Sequence, residues 1–502
     1  MIITGYHCEE STLSQPSVKK NFIYRTLYEV LVVLTPFITT PYIARVLGST
    51  GVGISSYTHS VMAYFTMFAA LGTPQYGVRE IARHRDNAEE TSKLFWEIEL
   101  LTVFTSGICL LGWVVLCFAY REYTPYLFAL TPLLLGTMVN INWYFTGHEK
   151  VLYTVIRNAA CKVAGIIILF TCIKTKEHLF LYILLNSIVT LLGNLSMWTY
   201  LPNMLVKVNF HSLTFRRHFR ETLVYFVPTV AISIYHVLDK TLLGLIVHNY
   251  STSGFYDQAH RLYSIINSMV FTSLNAVMEA RVSYLFAQNK TAEIKRRIRK
   301  AIDFTMLAGF GCVFGVVGIT KVFVPIFWGP GWDPIIPLIY LMAPLTMIIS
   351  VSYCLGSLYY NPSGNRAQST RYLIIGACIN LVLNLLMIPR WKAAGAIIAT
   401  IIAESAITTM YTKNCKGYLT VQTLLECSWC RLLAGAAMSA LVMAIGHAAI
   451  SSEILKLAIQ IIAGTVFYVT ILYLAGDALL KELIALILHH CKKITGKLRA
   501  RL

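Results

Sequence analysis

Charge is scarce in this chain, and acid scarcer than base: Asp, Glu, Lys and Arg make up 13% of its 502 residues, with 24 acids against 42 bases. Soluble domains carry about 25% charged residues, so a water-facing surface along most of the chain is excluded. Phosphate-binding loops are missing too. Nothing reads GxxxxGK followed by Ser or Thr, so no Walker-type nucleotide site is encoded. Cys427 and Cys430 form a single CxxC with no second pair and no neighbouring His, while Cys109, Cys117, Cys161, Cys312, Cys354 and Cys378 fall within apolar runs as small fillers. That pattern gives no reason to expect a cofactor, a metal or a disulfide framework.

Long polar segments are also lacking. The stretches between apolar runs are short, GST at 48–50 and GPGWD at 329–333 among them. A membrane polymerase or ligase of sugar chains needs a large outer loop with paired carboxylates or Arg, and a glycosyltransferase needs a folded inner domain. Neither fits, so the chain is not expected to be an enzyme. The first 20 residues have neither the apolar centre nor the small-residue cleavage site of a signal peptide, which leaves the first span to do the targeting.

What is abundant is apolar sequence. Runs near 23–46, 52–77, 94–119, 123–146, 151–173, 178–201, 221–247, 254–286, 302–328, 335–360, 369–389, 393–412, 429–450 and 454–475 each exceed the need of a bilayer, since roughly 30 Å of hydrocarbon takes about 20 helical residues. With the N-terminus inside, 30 of the 42 Lys and Arg fall on inner segments and 6 on outer loops, namely Arg121, Lys174, Lys176, Arg390, Lys392 and Lys456. The positive-inside rule then places both termini in the cytoplasm. The basic residues are scattered over short loops, so the net charge of +18 points to anionic inner-leaflet lipid and not to nucleic acid. The expected fold is an all-α integral membrane bundle of about fourteen transmembrane helices.

An internal echo divides that bundle. ARVLGSTGVGISSY (44–57) closes the first span and opens the second; DKTLLGLIVHNYSTSGFY (239–256) does the same for spans 7 and 8, with Arg45 three residues before Gly48 and Lys240 four before Gly244. A phrase repeated six spans apart implies two parallel six-helix halves. The expected parts are an N-tail (1–22), an N-lobe (23–201), a cytoplasmic linker (202–220), a C-lobe (221–412), two further helices (429–475) and a basic amphipathic tail (476–502) lying on the inner leaflet.

Ionisable residues inside spans are costly and normally face a partner or water. They are Arg25, Glu29 and Arg45 on span 1, His59 on span 2, His236, Asp239 and Lys240 on span 7, Asp257, His260 and Arg261 on span 8, and Glu404 on span 12. Arg25 with Glu29 and Asp257 with Arg261 are spaced to pair along one helix face; adjacent Asp239 and Lys240 either satisfy each other or line a cavity. For Lys162, Lys321 and Glu404 the structural role leads. If Arg45 and Lys240 both face a central cavity, the natural ligand is an anion. Pro36, Pro41, Pro132, Pro228 and Pro344 offer kinks about which spans could bend.

At these residues the chain resembles a known family. IYHVLDKTLLGLIV (234–247), GFYDQAHRL (254–262), VPIFWGPGW (324–332), NLVLNLLMIPRWKAAGAIIATIIAE (380–404) and LGSTGVGISSY (47–57) look like the polysaccharide flippases of the Wzx type, in the superfamily that includes multidrug extruders and lipid II flippases. The resemblance covers about 20–480. It implies two lobes in a V around a cationic cavity, in the bacterial cytoplasmic membrane. The implied activity is moving undecaprenyl-diphosphate-linked oligosaccharide from the inner to the outer leaflet, by alternating access, for capsule, O-antigen or exopolysaccharide. A polysaccharide polymerase and a chain-length regulator are the implied partners, besides membrane lipid.

The residues suit a diphosphate independently, because Arg binds it bidentately and Lys as a point charge. Arg45, Lys240 and Arg261, with Arg25, are the candidate contacts. Tyr57, Tyr64, Tyr235, Tyr256 and Tyr263 are candidates to stack on sugars. Glu29, Asp239 and Asp257 are candidates for H⁺ or Na⁺ coupling or for charge balance, since members of the superfamily use ion antiport. Span 1 is less crowded with Arg than in lipid II flippases. A multidrug or cation extruder of the same fold, which calls for acidic cavity walls, and a non-transporting scaffold of a glycan-assembly complex are the alternatives.

Overall fold

The computed structural model describes residues 18–268, 273–486 and 488. Among them every long element is a helix and no strand occurs. In lipid no water is present to satisfy backbone polar groups, so apolar runs of this length must close their hydrogen bonds within the segment. In chain order the helices are α1 (Val18–Ala70), α2 (Thr73–His84), α3 (Ala88–Ala119), α4 (Thr124–Met138), α5 (Asn142–Gly147), α6 (Val151–Cys172), α7 (Leu179–Leu195) and α8 (Phe215–Val247). There follow α9 (Tyr250–Asn267), α10 (Ser273–Ala287), α11 (Thr291–Phe327), α12 (Ile335–Leu355), α13 (Arg366–Asn414), α14 (Val421–Gly446) and α15 (Glu453–Leu474).

Among the described residues, ten segments are long and apolar enough to cross a membrane. α8, with Asp239 and Lys240, and α9, with Asp257 and Arg261, are not among these. Two of the long helices are pairs. α1 would be about 80 Å long if straight; it breaks at Gly48, whose φ of 69° and ψ of 177° no other residue type adopts readily. α13 breaks in the same way at Lys392, φ 50° and ψ −127°. The breaks fall where the sequence separates spans 1 from 2 and 11 from 12. The run at 123–146 is divided into α4 and α5, and 335–360 ends in a π-helical turn, Gly356–Tyr360.

Five apolar clusters pack these helices. One joins α1, α3, α4, α6 and α7 around Trp113, Leu130 and Ile183, and a second gathers Phe95 on α3 with α2 and with Trp143 and Tyr144 on α5. Leu243, Trp328 and Ile388 centre a third, and Ile298, Leu355 and Tyr360 a fourth. α14 and α15 pack on α11 through Met438, Val442 and Leu472. Arg431 is buried there against Asp303 and Asp477, at 2.9 and 2.8 Å. The chain after α15 is helical over 478–486, and most of the expected amphipathic tail lies outside the described residues.

The echoed turns meet each other. A Cβ on Gly53 would come within 1.7 Å of the Tyr250 carbonyl oxygen, and one on Gly254 within 2.1 Å of the Ser49 carbonyl oxygen. Thr50 Oγ1 and Ser251 Oγ are hydrogen-bonded at 2.9 Å. A shift of 201 positions exchanges the first two contacts, since Gly53 then corresponds to Gly254 and Ser49 to Tyr250, and it relates Thr50 to Ser251 directly. This register corrects the pairing of Arg45 with Lys240, which assumed 195. Lys240 corresponds to Thr39, Arg45 to Ile246, and His59 to His260.

Candidate functional site

Asp257, 1% exposed, is the hub of the site. It accepts from Lys240 Nζ on α8 at 2.6 Å and from Arg261 Nε, one turn on along α9, at 2.7 Å. The expected Asp257–Arg261 helical pair is therefore present, and Lys240 joins it from outside. Two cations on one carboxylate leave a surplus positive charge. The Arg261 side chain keeps 52% of its surface exposed and reaches a cavity of about 560 Å³.

Helices α1, α6 and α7 supply most of that cavity's wall. Arg157 and Lys162 come from α6, Asn186 and Asn194 from α7, Thr35 and Thr39 from α1. Arg261, Arg157 and Lys162 give the lining three cations, and no Asp or Glu is among the lining residues described. Arg157 is oriented by a hydrogen bond from Nη1 to Asn194 Oδ1 at 2.9 Å, and Asn194 Nδ2 in turn donates to the Gly136 carbonyl at 2.8 Å. Gly193 makes the room: a Cβ there would lie 2.6 Å from Cys161 Sγ and 3.5 Å from Arg157 Nη1.

Asp239 and Lys240, neighbours in sequence, do not satisfy each other. They point about 100° apart around α8. Asp239, 3% exposed, accepts from Tyr256 Oη at 2.7 Å, Asn384 Nδ2 at 2.6 Å and Thr400 Oγ1 at 2.8 Å. Asn380 completes the group by donating to Thr400 Oγ1 and accepting from Asn384 Nδ2. Asn384 Oδ1 is buried without a partner.

The other sequence candidates are placed elsewhere. Arg45 is exposed, donates to the Ile326 carbonyl at the end of α11 and lays its stem against Gly329; it does not line the cavity. The side chains of Arg25, Glu29, Tyr235 and His236 lie outside the described residues. His59 bonds to the Ser55 carbonyl at 2.8 Å, and Glu404 is buried on α13. Of the tyrosines proposed for sugar stacking, Tyr57 packs on Gly244, Tyr256 serves Asp239, and neither Tyr64 nor Tyr263 lines the cavity; Tyr28 and Tyr182 do.

Sequence reasoning passed over Arg157 and the asparagines. Arg157 looks like part of the basic inner fringe, and asparagines in apolar runs carry no charge to mark them. Lys162, read as structural, stands on the cavity wall.

Comparison with known proteins agrees with this architecture. A curated relative from Escherichia coli, provisionally named an O-antigen transporter, is 23% identical over 413 residues, spanning 80% of this chain and 98% of its own length. The lipid II flippase MurJ in an inward closed conformation superposes with a TM-score of 0.72 at 13% identity, covering 92% of this chain and all of the other. The MATE multidrug transporter DinF-BH gives 0.52 at 17% identity, over 79% and 96% of the two chains. These likenesses establish the fold, an all-helical membrane bundle of the MurJ and MATE kind. Residues 18–278, more than half of the chain, match the model of the polysaccharide biosynthesis protein family, and the chain belongs to that family.

Proposed function

We propose that the protein is a flippase that carries a lipid-linked oligosaccharide, joined to its polyprenyl chain by a diphosphate, from the inner to the outer leaflet of the bacterial cytoplasmic membrane. The observation that carries this reading is the cavity wall: three cations, a set of asparagines and threonines, and no carboxylate among the described lining residues. Such a wall suits an anionic, polyhydroxylated head group, and it is the opposite of what a cationic drug requires. Counting each half of α1 and α13 and adding α8 and α9–α10 supports fourteen membrane passages, and the excess of Lys and Arg on alternate loops supports both termini inside. The O-antigen name of the Escherichia coli relative and the lipid II substrate of MurJ point to the same chemical class.

In this mechanism Arg261 holds the diphosphate from the cavity wall, Lys240, which is not among the lining residues, adds its charge from behind through Asp257, and Asp257 fixes the geometry of both. The crossing of α1 and α9 at Gly53 and Gly254 closes the outer end, and alternating access requires it to part. An inside-negative potential favours outward movement of the anion by about 2.3 kcal/mol per charge per 100 mV. Among the described residues Asp239 accepts from neutral donors alone, and its neighbour Asn384 presents an unused oxygen, which supports coupling to Na⁺ or H⁺ there. Glycan units delivered outside pass to a polymerase and its chain-length regulator.

The test is reconstitution. Proteoliposomes holding the protein and a fluorescent undecaprenyl-diphosphate oligosaccharide should move the label to the outer leaflet, and Arg261→Ala should abolish the movement. Equal rates for the variant and the wild type sink the reading.

A further inference from the structure

The cavity has two depths. A rise of about 1.5 Å per residue places Lys162, eleven residues into α6, and Arg261, eleven residues into α9 from the opposite end, each about 16 Å from its own side, near the middle of the membrane. Arg157 lies only about 9 Å along α6 from its cytoplasmic end. Asn194 stands at the end of α7, and Asn140 and Asn142 at the start of α5, all on that same cytoplasmic side.

This shallow group holds unused hydrogen-bonding capacity. Arg157 Nε and Asn142 Oδ1 are both buried without a partner, the one a donor and the other an acceptor, and both residues line the cavity. Buried polar atoms are normally satisfied. Arg157 is already oriented by Asn194, and no carboxylate among the described residues pairs with it, whereas Arg261 spends part of its charge on Asp257.

We infer that Arg157, Asn142 and Asn194 form an entrance station at the cytoplasmic mouth, distinct from the midplane pair of Lys240 and Arg261, which receives a sugar phosphate. Arg157 takes the phosphate oxygens, and Asn142 Oδ1 accepts from a hydroxyl or amide of the first sugar. The inference rests on the flippase reading and adds to it a second site and a means of recognising the sugar next to the phosphate.

Binding to the full-length protein in detergent tests it, with two probes: farnesyl diphosphate, and the same lipid bearing one N-acetylhexosamine on its diphosphate. Arg157→Ala should weaken both by roughly tenfold to a hundredfold, as expected for loss of a charged hydrogen bond, and Arg157→Lys should restore part of the loss. Asn142→Ala should weaken the glycosylated probe alone. In the flipping assay, Arg157→Ala should raise the half-saturating lipid concentration and leave the maximal rate nearly unchanged, while Arg261→Ala lowers the maximal rate. Thermal melting without lipid separates these losses from misfolding, and Arg157→Gln replaces Arg157→Ala if the latter melts early. Wild-type binding by the Arg157 variants beside weakened binding by Arg261→Ala overturns the entrance station and leaves the flippase standing. Failure of the wild-type protein to bind either diphosphate overturns both. Equal loss of the two probes in Asn142→Ala overturns the sugar contact.

Discussion

Asp239 and Asp257 are almost equally buried, at 3% and 1% exposure, on adjoining helices, and they keep opposite company. Asp257 meets two cations; Asp239 meets a phenol, an amide and a hydroxyl. Around the first the charge sums to a surplus of one positive, which an arriving anion can use. Around the second no cation among the described residues pairs with the carboxylate, a setting that suits a small cation or a proton. One residue's step along α8, from Asp239 to Lys240, leads into two different surroundings, to which the proposed function assigns the driving ion and the cargo.

The largest effect belongs to Asp257→Ala. Removing the buried member of an ion cluster costs up to about 3–5 kcal/mol, and here the low end applies, because Lys240 and the half-exposed Arg261 lose their shared counter-charge but still reach solvent. Thermal melting in detergent should fall sharply. Adding Lys240→Met and Arg261→Met should recover much of the stability and none of the transport. If the single variant melts like the wild type, the cluster is not the hub described.

Gly254→Ala acts on both carboxylates at once. Its methyl would overlap the Ser49 carbonyl oxygen and push α9 away, shifting both Tyr256, the partner of Asp239, and Asp257. Overpacking costs about 1–3 kcal/mol. Transport and its ion dependence should fall together, and loss of one without the other would show that the two sites do not share α9 as a frame.

Asp239→Asn should separate them. The amide keeps the shape and removes the charge, so diphosphate binding should persist while any dependence of flipping on a Na⁺ or proton gradient disappears. Weakened diphosphate binding in this variant would merge the two sites into one.

Much of this was legible in the sequence. The apolar runs and the sign of their flanking loops give the bundle, because both follow from the bilayer. Asp257 with Arg261 is visible as an i, i+4 spacing. Arg157 is not, since its position near a helix end hides it among the basic residues expected on the inner loops. The group around Asp239 draws Asn380, Asn384 and Thr400 from more than 140 positions away, and no local pattern reports a contact of that span. The echo shows that two turns are related, but its register could be set only by the backbone crossing at Gly53 and Gly254.

That register yields the smallest effect. Shifted by 201, Arg45 stands opposite Ile246 and has no cationic counterpart, while Lys240 stands opposite Thr39. The exposed Arg45 guanidinium bonds to a carbonyl at the end of α11, and a hydrogen bond of this sort contributes about 0.5–1.5 kcal/mol. Arg45→Ala should therefore slow flipping by less than about tenfold, through easier parting of α1 from α11, and leave diphosphate affinity intact. Lys240→Ala removes a charge from the hub itself and should weaken that affinity. Equal losses of affinity in the two variants would restore the cationic pair suggested by the sequence echo and place Arg45 inside the cavity after all.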